Sequence, residues 1–147
     1  MESRTRRAAV SAGAPAPEVR SDPEVRRRLS GPALRTFFNI AAAWELSVTE
    51  QRGLLGWPAT STFHKYKGGE HGTLSFDTLT RLSLVIGIYT GLQVLYPETR
   101  FADSWVKAPN SHPLFGGTPA LSLMIEGGID GLFKVRRLID ARRGGWN

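Results

Sequence analysis

The sequence predicts an all-α fold, a compact helical bundle that contains a helix-turn-helix and is followed by a C-terminal α-hairpin. Three observations lead there. Apolar residues recur three and four apart in one segment after another, the spacing that lines one face of a helix. Start signals precede these stripes: an S-x-x-E at Ser47 to Glu50, a serine at position 75, and Thr118 before Pro119. Glycines or prolines then stand where each stripe stops, at Gly56, Gly68 and Gly69, Pro97, Gly127 and Gly128, and Gly144 and Gly145.

A chain of 147 residues is long enough for one modest core. It contains no cysteine, which excludes a disulfide framework and thiolate metal sites. No run of about 18 apolar residues occurs, and the N-terminus lacks the apolar stretch of a secretory signal. The expectation is a soluble cytoplasmic protein with no membrane partner. The net charge of +6 sits at the two ends. Residues 1 to 29 hold seven basic and four acidic side chains, residues 30 to 127 seven of each, and residues 128 to 147 five and two.

Residues 1–29 have no aromatic residue and three prolines, so they bury too little apolar surface to offset the entropy of ordering. They are expected to form a disordered basic arm, either a solvated leader or a tail on DNA phosphates. Pro32 suits the first turn of a helix, in which Leu34, Phe37, Phe38, Ala41 and Trp44 make the inward stripe. In "LSVTEQRGLLGWPATSTFHKYKGG", Ser47 and Glu50 form a capping box, Gly56 to Ala59 make a tight break, and Thr60 to Lys67 form a second short helix. Two short helices about a glycine-containing turn are the pattern of a helix-turn-helix. Phe63 and Tyr66 would face the core, leaving Thr60, Ser61, Thr62, His64, Lys65 and Lys67 at or near the open side as DNA-contacting candidates. An ordinary amphipathic hairpin with a solvated polar face has the same spacing.

In "TLSFDTLTRLSLVIGIYTGLQVLYP", Ser75 is the cap and Asp77 complements the positive first turn. The apolar face is so wide that the helix must be central to the bundle or lie in a subunit interface, and a homodimer is expected on the second ground. Gly87 and Gly91 would permit close helix approach. Another short helix follows Pro97, with Phe101, Trp105 and Val106 inward, and Pro109 and Pro113 bracket a turn. Thr118 and Pro119 open the first helix of the hairpin, with Leu121, Met124 and Ile125 on its apolar side. Asp130 opens the second, with a stripe of Leu132, Val135, Leu138 and Ile139. Arg142 and Arg143 fall in the last turn, where positive charge complements the helix dipole. Trp146 lies beyond the Gly-Gly break and belongs to no helix, so it folds back or serves as an exposed anchor.

The stretch "LFGGTPALSLMIEGGIDGLFKVRRLIDARRGGW" resembles the toxin-binding domain of the Xre/MbcA/ParS antitoxin family. The upstream "LSVTEQRGLLGWPATSTFHKYKGG" with "LSFDTLTRLSLVIGIYTGLQVLYP" resembles the Xre-like helix-turn-helix region of the same antitoxins. The likeness runs from about Pro32 to Trp146 and rests chiefly on Phe115, Gly116, Pro119, Leu121, Gly127, Gly131, Leu132, Val135 and Leu138. It implies a helix-turn-helix domain at 30–96 and a toxin-binding domain at 97–147, and the arm at 1–29 has no counterpart in the pattern. It also implies a type II toxin-antitoxin system. The partner would be a RES-domain toxin that degrades NAD, held inactive by occlusion of its active site, and the shared operon would be repressed through operator DNA. Arg136, Arg142, Arg143 and Trp146 are the toxin-facing candidates, chosen for exposure and chemistry; an arginine fork suits the place of an NAD phosphate.

An enzyme reading finds little in the sequence. His64, His71 and His112 stand in no H-E-x-x-H or triad-like context, "GGEHG" lacks the K-[ST] of a phosphate loop, and the histidines make no recognisable metal-ligand set. No cofactor is expected. The competing class is a stand-alone helix-turn-helix regulator whose C-terminal hairpin only dimerises.

Overall fold

The structure is a computed structural model that describes residues 21–144. Among these residues it is all helical, with seven helices: α1 Pro23–Ala43, α2 Val48–Leu54, α3 Thr60–Lys67, α4 Phe76–Leu95, α5 Thr99–Ser104, α6 Ala120–Glu126 and α7 Gly128–Gly144. Of the arm expected at residues 1–29, residues 1–20 lie outside the described residues.

Helix α1 corrects the expected boundary, because residues 23 to 29 are helix and not arm. The Asp22 side chain accepts from the Glu24 backbone N–H at 2.9 Å, and Pro23 occupies the first turn. What holds this turn to the rest is polar. Arg26 Nη1 donates to the Leu74 carbonyl at 3.0 Å; the buried Ser30 hydroxyl donates to the Arg26 carbonyl at 2.6 Å and accepts from Leu74 N–H at 2.9 Å. Because these anchors are hydrogen bonds, an apolar pattern does not reveal them. Pro32 therefore lies inside the helix and does not start it. It leaves the Arg28 carbonyl without its usual partner, and the flanking turns are held by the links to Leu74. Beside Arg27, the exposed Glu24 carboxyl is held below its usual range by a hydrogen bond and by the neighbouring positive charge.

The capping box of α2 forms as expected, with Glu50 N–H to Ser47 Oγ at 3.1 Å and Ser47 N–H to Glu50 Oε1 at 2.8 Å. Ser47→Ala leaves the Glu50 amide without its acceptor and is expected to cost about 1 kcal/mol. A thermal unfolding scan followed by circular dichroism, in which the melting temperature falls by about 4 °C, checks this.

Helix α4 starts at Ser75, whose Oγ accepts from Thr78 N–H at 3.1 Å, and it is the centre of the molecule. Leu79, Leu82, Val85, Ile88 and Leu92 are almost wholly buried, and α1, α5 and α7 pack around them. Of the two alternatives for the wide apolar face, the central helix is the one observed. Most of the face from which a homodimer was expected packs within the chain, while Phe76 and Val94 near its two ends stay exposed. The helix is long and apolar enough to cross a membrane, but 56% of its most apolar stretch is buried inside the molecule, as in a core helix.

Two glycines on α4 admit α7. A Cβ at Gly91 would stand 2.4 Å from Ile139 Cγ2, and one at Gly87 would stand 1.8 Å from Arg136 Nη1. Helix α5 turns Ala102 inward, and Val106 just beyond it is also buried; Phe101, expected to be buried, is 60% exposed because it stands one residue off that stripe. The loop to α6 is pinned by Leu121 N–H on the Val106 carbonyl at 2.9 Å and by the edge-on packing of Trp105 on Phe115. Thr118, expected as a cap, instead donates its hydroxyl to the Phe115 carbonyl at 2.7 Å, and α6 begins at Ala120. Helix α7 begins at Gly128, with φ +60°, and not at Asp130, which lies in the first turn and pairs with Lys134 at 3.1 Å. Gly127 is thus the whole connection between the two helices.

Candidate functional site

Two surfaces carry chemistry. The first is built on α2 and α3. The turn between them needs left-handed backbone at two successive residues, Gly56 at φ +87° and Trp57 at φ +64°. The second is unusual for a tryptophan. Its ring is held by Arg52, whose guanidinium lies 5.7 Å from the ring centroid and whose Nε donates to the Pro58 carbonyl at 2.9 Å. Helix α3 then hangs on Phe63, fully buried and edge-on to Phe38 at 5.7 Å.

Of the six candidates on α3, Thr60, Ser61, His64 and Lys65 lie on one exposed arc opposite Phe63. Thr62 is half-buried at one edge of that arc. Lys67 is exposed at the other edge and lines a groove against α1. The His64 ring is edge-on to Phe63 at 5.3 Å, which fixes its direction. Ala59 offers no capping side chain, so the first amides of α3 are open to an acceptor from outside.

The second surface is the outer side of α7. Gly131, Leu132, Val135 and Ile139 are buried, and the opposite arc presents Asp130, Phe133, Lys134, Arg137 and Ala141 to solvent. The candidates Arg142 and Arg143 are exposed at its end. Arg136 is differently placed: its side chain is 24% exposed, Nε contacts the Asp140 carboxylate at 3.1 Å, and its guanidinium lies against Gly87 of α4. Trp146 lies outside the described residues. The structure adds two residues that sequence reasoning missed, Phe133, which is 42% exposed, and Arg137, which has no ion pair or hydrogen bond among the described residues. Their signal was present in the helical spacing, since both fall opposite the stripe of Leu132, Val135 and Ile139. Among the described residues no group of three His, Asp or Glu side chains gathers as a metal site.

Comparison with known proteins gives two adjoining matches. Residues 23–87 match the antitoxin Xre-like helix-turn-helix domain, and residues 91–145 match the antitoxin Xre/MbcA/ParS C-terminal toxin-binding domain. The chain is also 42% identical over 112 residues to the uncharacterized protein y4oB of Sinorhizobium fredii, spanning 76% of this chain and 84% of that protein. No solved structure matches. With the first match covering α1 to most of α4 and the second α5 to α7, the chain belongs to the Xre/MbcA/ParS antitoxins, an Xre-like helix-turn-helix joined to a toxin-binding domain.

Proposed function

We propose that this antitoxin neutralises a RES-domain, NAD-degrading toxin by covering its active site with the end of the α6–α7 hairpin, and that it regulates the shared operon by binding operator DNA through α3. On this reading it works in the cytoplasm by binding and not by catalysis, and the regions 23–96 and 97–147 divide the two tasks. The observation that carries the reading is the two-sidedness of α7. One side is locked on α4 by Val135 and Ile139, both fully buried, while Arg142 and Arg143 stand exposed at its end. A rigid helix ending in two free guanidinium groups suits a cavity built for the phosphates of NAD. Arg136, already occupied by Asp140, serves this role less directly, and Trp146 would follow the two arginines into the cavity.

Truncation from Arg142 onward, which removes both arginines and everything after them, tests the placement. Co-expressed with a RES-domain toxin, the truncated chain is expected to let cellular NAD fall as if no antitoxin were present, while binding to the DNA upstream of its own gene persists. Retained protection of NAD by the truncated chain would move the inhibitory contact elsewhere. A chain that only regulates transcription would show no effect on NAD in either form, and a homodimer formed through the hairpin alone would belong to that outcome.

A further inference from the structure

The groove beside α3 has properties that the helix-turn-helix does not require. It lies between α1 and the C-terminal end of α3, holds a volume of about 300 Å³, and among the described residues no carboxylate lines it. Arg35 and Asn39 face it from α1, Tyr66 and Lys67 from α3, and His71 from the segment that follows. Neither Arg35 nor Lys67 has an ion pair or hydrogen bond within the described residues. The floor is glycine. Arg35 Nη1 and His71 Nε2 come within 3.3 and 3.1 Å of the point where a Cβ would stand at Gly31, so the two nitrogens converge over a space that a side chain would fill. His71 Nδ1 lies 3.0 Å from the Gly72 carbonyl, which fixes the ring with Nε2 toward Gly31.

We propose that this groove seats a backbone phosphate of the same duplex that α3 contacts, with Arg35 and Lys67 as its donors and the His71 ring as one wall. The proposal rests on the DNA reading of α3 and extends it to α1. A helix lying in a major groove is flanked by phosphates, and Lys67 stands at the edge of the α3 arc that faces α1. Charge makes the same point. Residues 30 to 127 carry equal numbers of acidic and basic side chains, so affinity for a polyanion cannot come from their total and must come from local separation of sign. Two cations and an imidazole around a glycine floor, with no ion pair to either cation and no acid lining the groove among the described residues, are such a separation.

The test is fluorescence anisotropy of the full chain with a labelled duplex from upstream of its own gene, titrated at several salt concentrations. Arg35→Gln is expected to weaken binding about tenfold and to lower the slope of log K against log salt by about 0.9, the loss of one phosphate contact. Gly31→Ala is expected to weaken it in the same direction at unchanged net charge, since its Cβ, 3.3 Å from Arg35 Nη1 and 3.1 Å from His71 Nε2, pushes both side chains out of place. Arg100→Gln removes a charge elsewhere on the molecule and is expected to do neither. If Arg35→Gln and Gly31→Ala behave like Arg100→Gln while Lys65→Gln loses affinity, the groove proposal fails and the DNA reading of α3 stands. If the unaltered chain does not bind the duplex at any salt, both fail. Equal loss with inorganic phosphate as competitor but no change in salt slope would mark a free-anion site and overturn the proposal as well.

Discussion

Gly131→Ala is expected to lower stability by about 3 kcal/mol and the melting temperature by about 10 °C. A Cβ at Gly131 would stand 2.2 Å from the Leu123 carbonyl oxygen and 3.2 Å from its carbon. Both are backbone atoms of α6, so no rotamer change relieves the clash; the two helices must separate. The same junction provides an internal contrast. Gly128 has φ +60° but nothing within 4 Å of its would-be Cβ, so Gly128→Ala meets only the left-handed penalty of about 1 to 2 kcal/mol. Thermal unfolding by circular dichroism should therefore rank Gly131→Ala well below Gly128→Ala. The reverse order would mean that α6 and α7 do not approach so closely in solution. Because Phe133, Arg137 and Arg142 keep their direction only while α7 is braced on α6 and α4, Gly131→Ala should also weaken toxin neutralisation at temperatures where the chain remains folded.

That junction also marks where sequence reading succeeded and where it stopped. Gly127 and Gly128 were visible as a break in the apolar stripe, which located the hairpin but made its loop too long, with Asp130 as the opening residue. The pattern carries no information on how near two backbones come, and here only one residue separates the helices. The capping residues Ser47 and Ser75 were legible because their hydrogen bonds are local, to residues three positions on. The extension of α1 back to Pro23 was not, because its anchors run from Arg26 and Ser30 to Leu74, 48 and 44 positions away. The same limit applies to the site. Exposure of Ser61, His64 and Lys65 follows from their angle to Phe63, whereas the engagement of Arg136 with Asp140 and Gly87 depends on which side of α7 meets α4. Phe101 shows the complementary error. Aromatic character was read as burial, while the smaller Ala102 occupies the inward position.

Phe63→Ala is expected to cost about 3 to 5 kcal/mol, with its effect concentrated on α3. The helix has eight residues and no side-chain cap at its N-terminus, so it has little stability of its own. Its buried side chain is Phe63, edge-on to Phe38 of α1 at 5.7 Å and supporting the His64 ring at 5.3 Å. Removing the ring leaves a cavity against α1 and takes away what orients Ser61, His64 and Lys65. Hydrogen exchange should then show the amides of residues 60–67 exchanging far faster than in the parent, while those of α4, covered by α1 and α7, remain protected. DNA affinity should fall at least as far as with Lys65→Gln, although no charge and no exposed group has changed. Phe63→Leu fills most of the cavity, and it should recover both protection and binding. A Phe63→Ala protein with α3 amides still protected and DNA affinity intact would mean that the helix is held by something other than this ring, and the candidate reading face would then have to be sought on a different support.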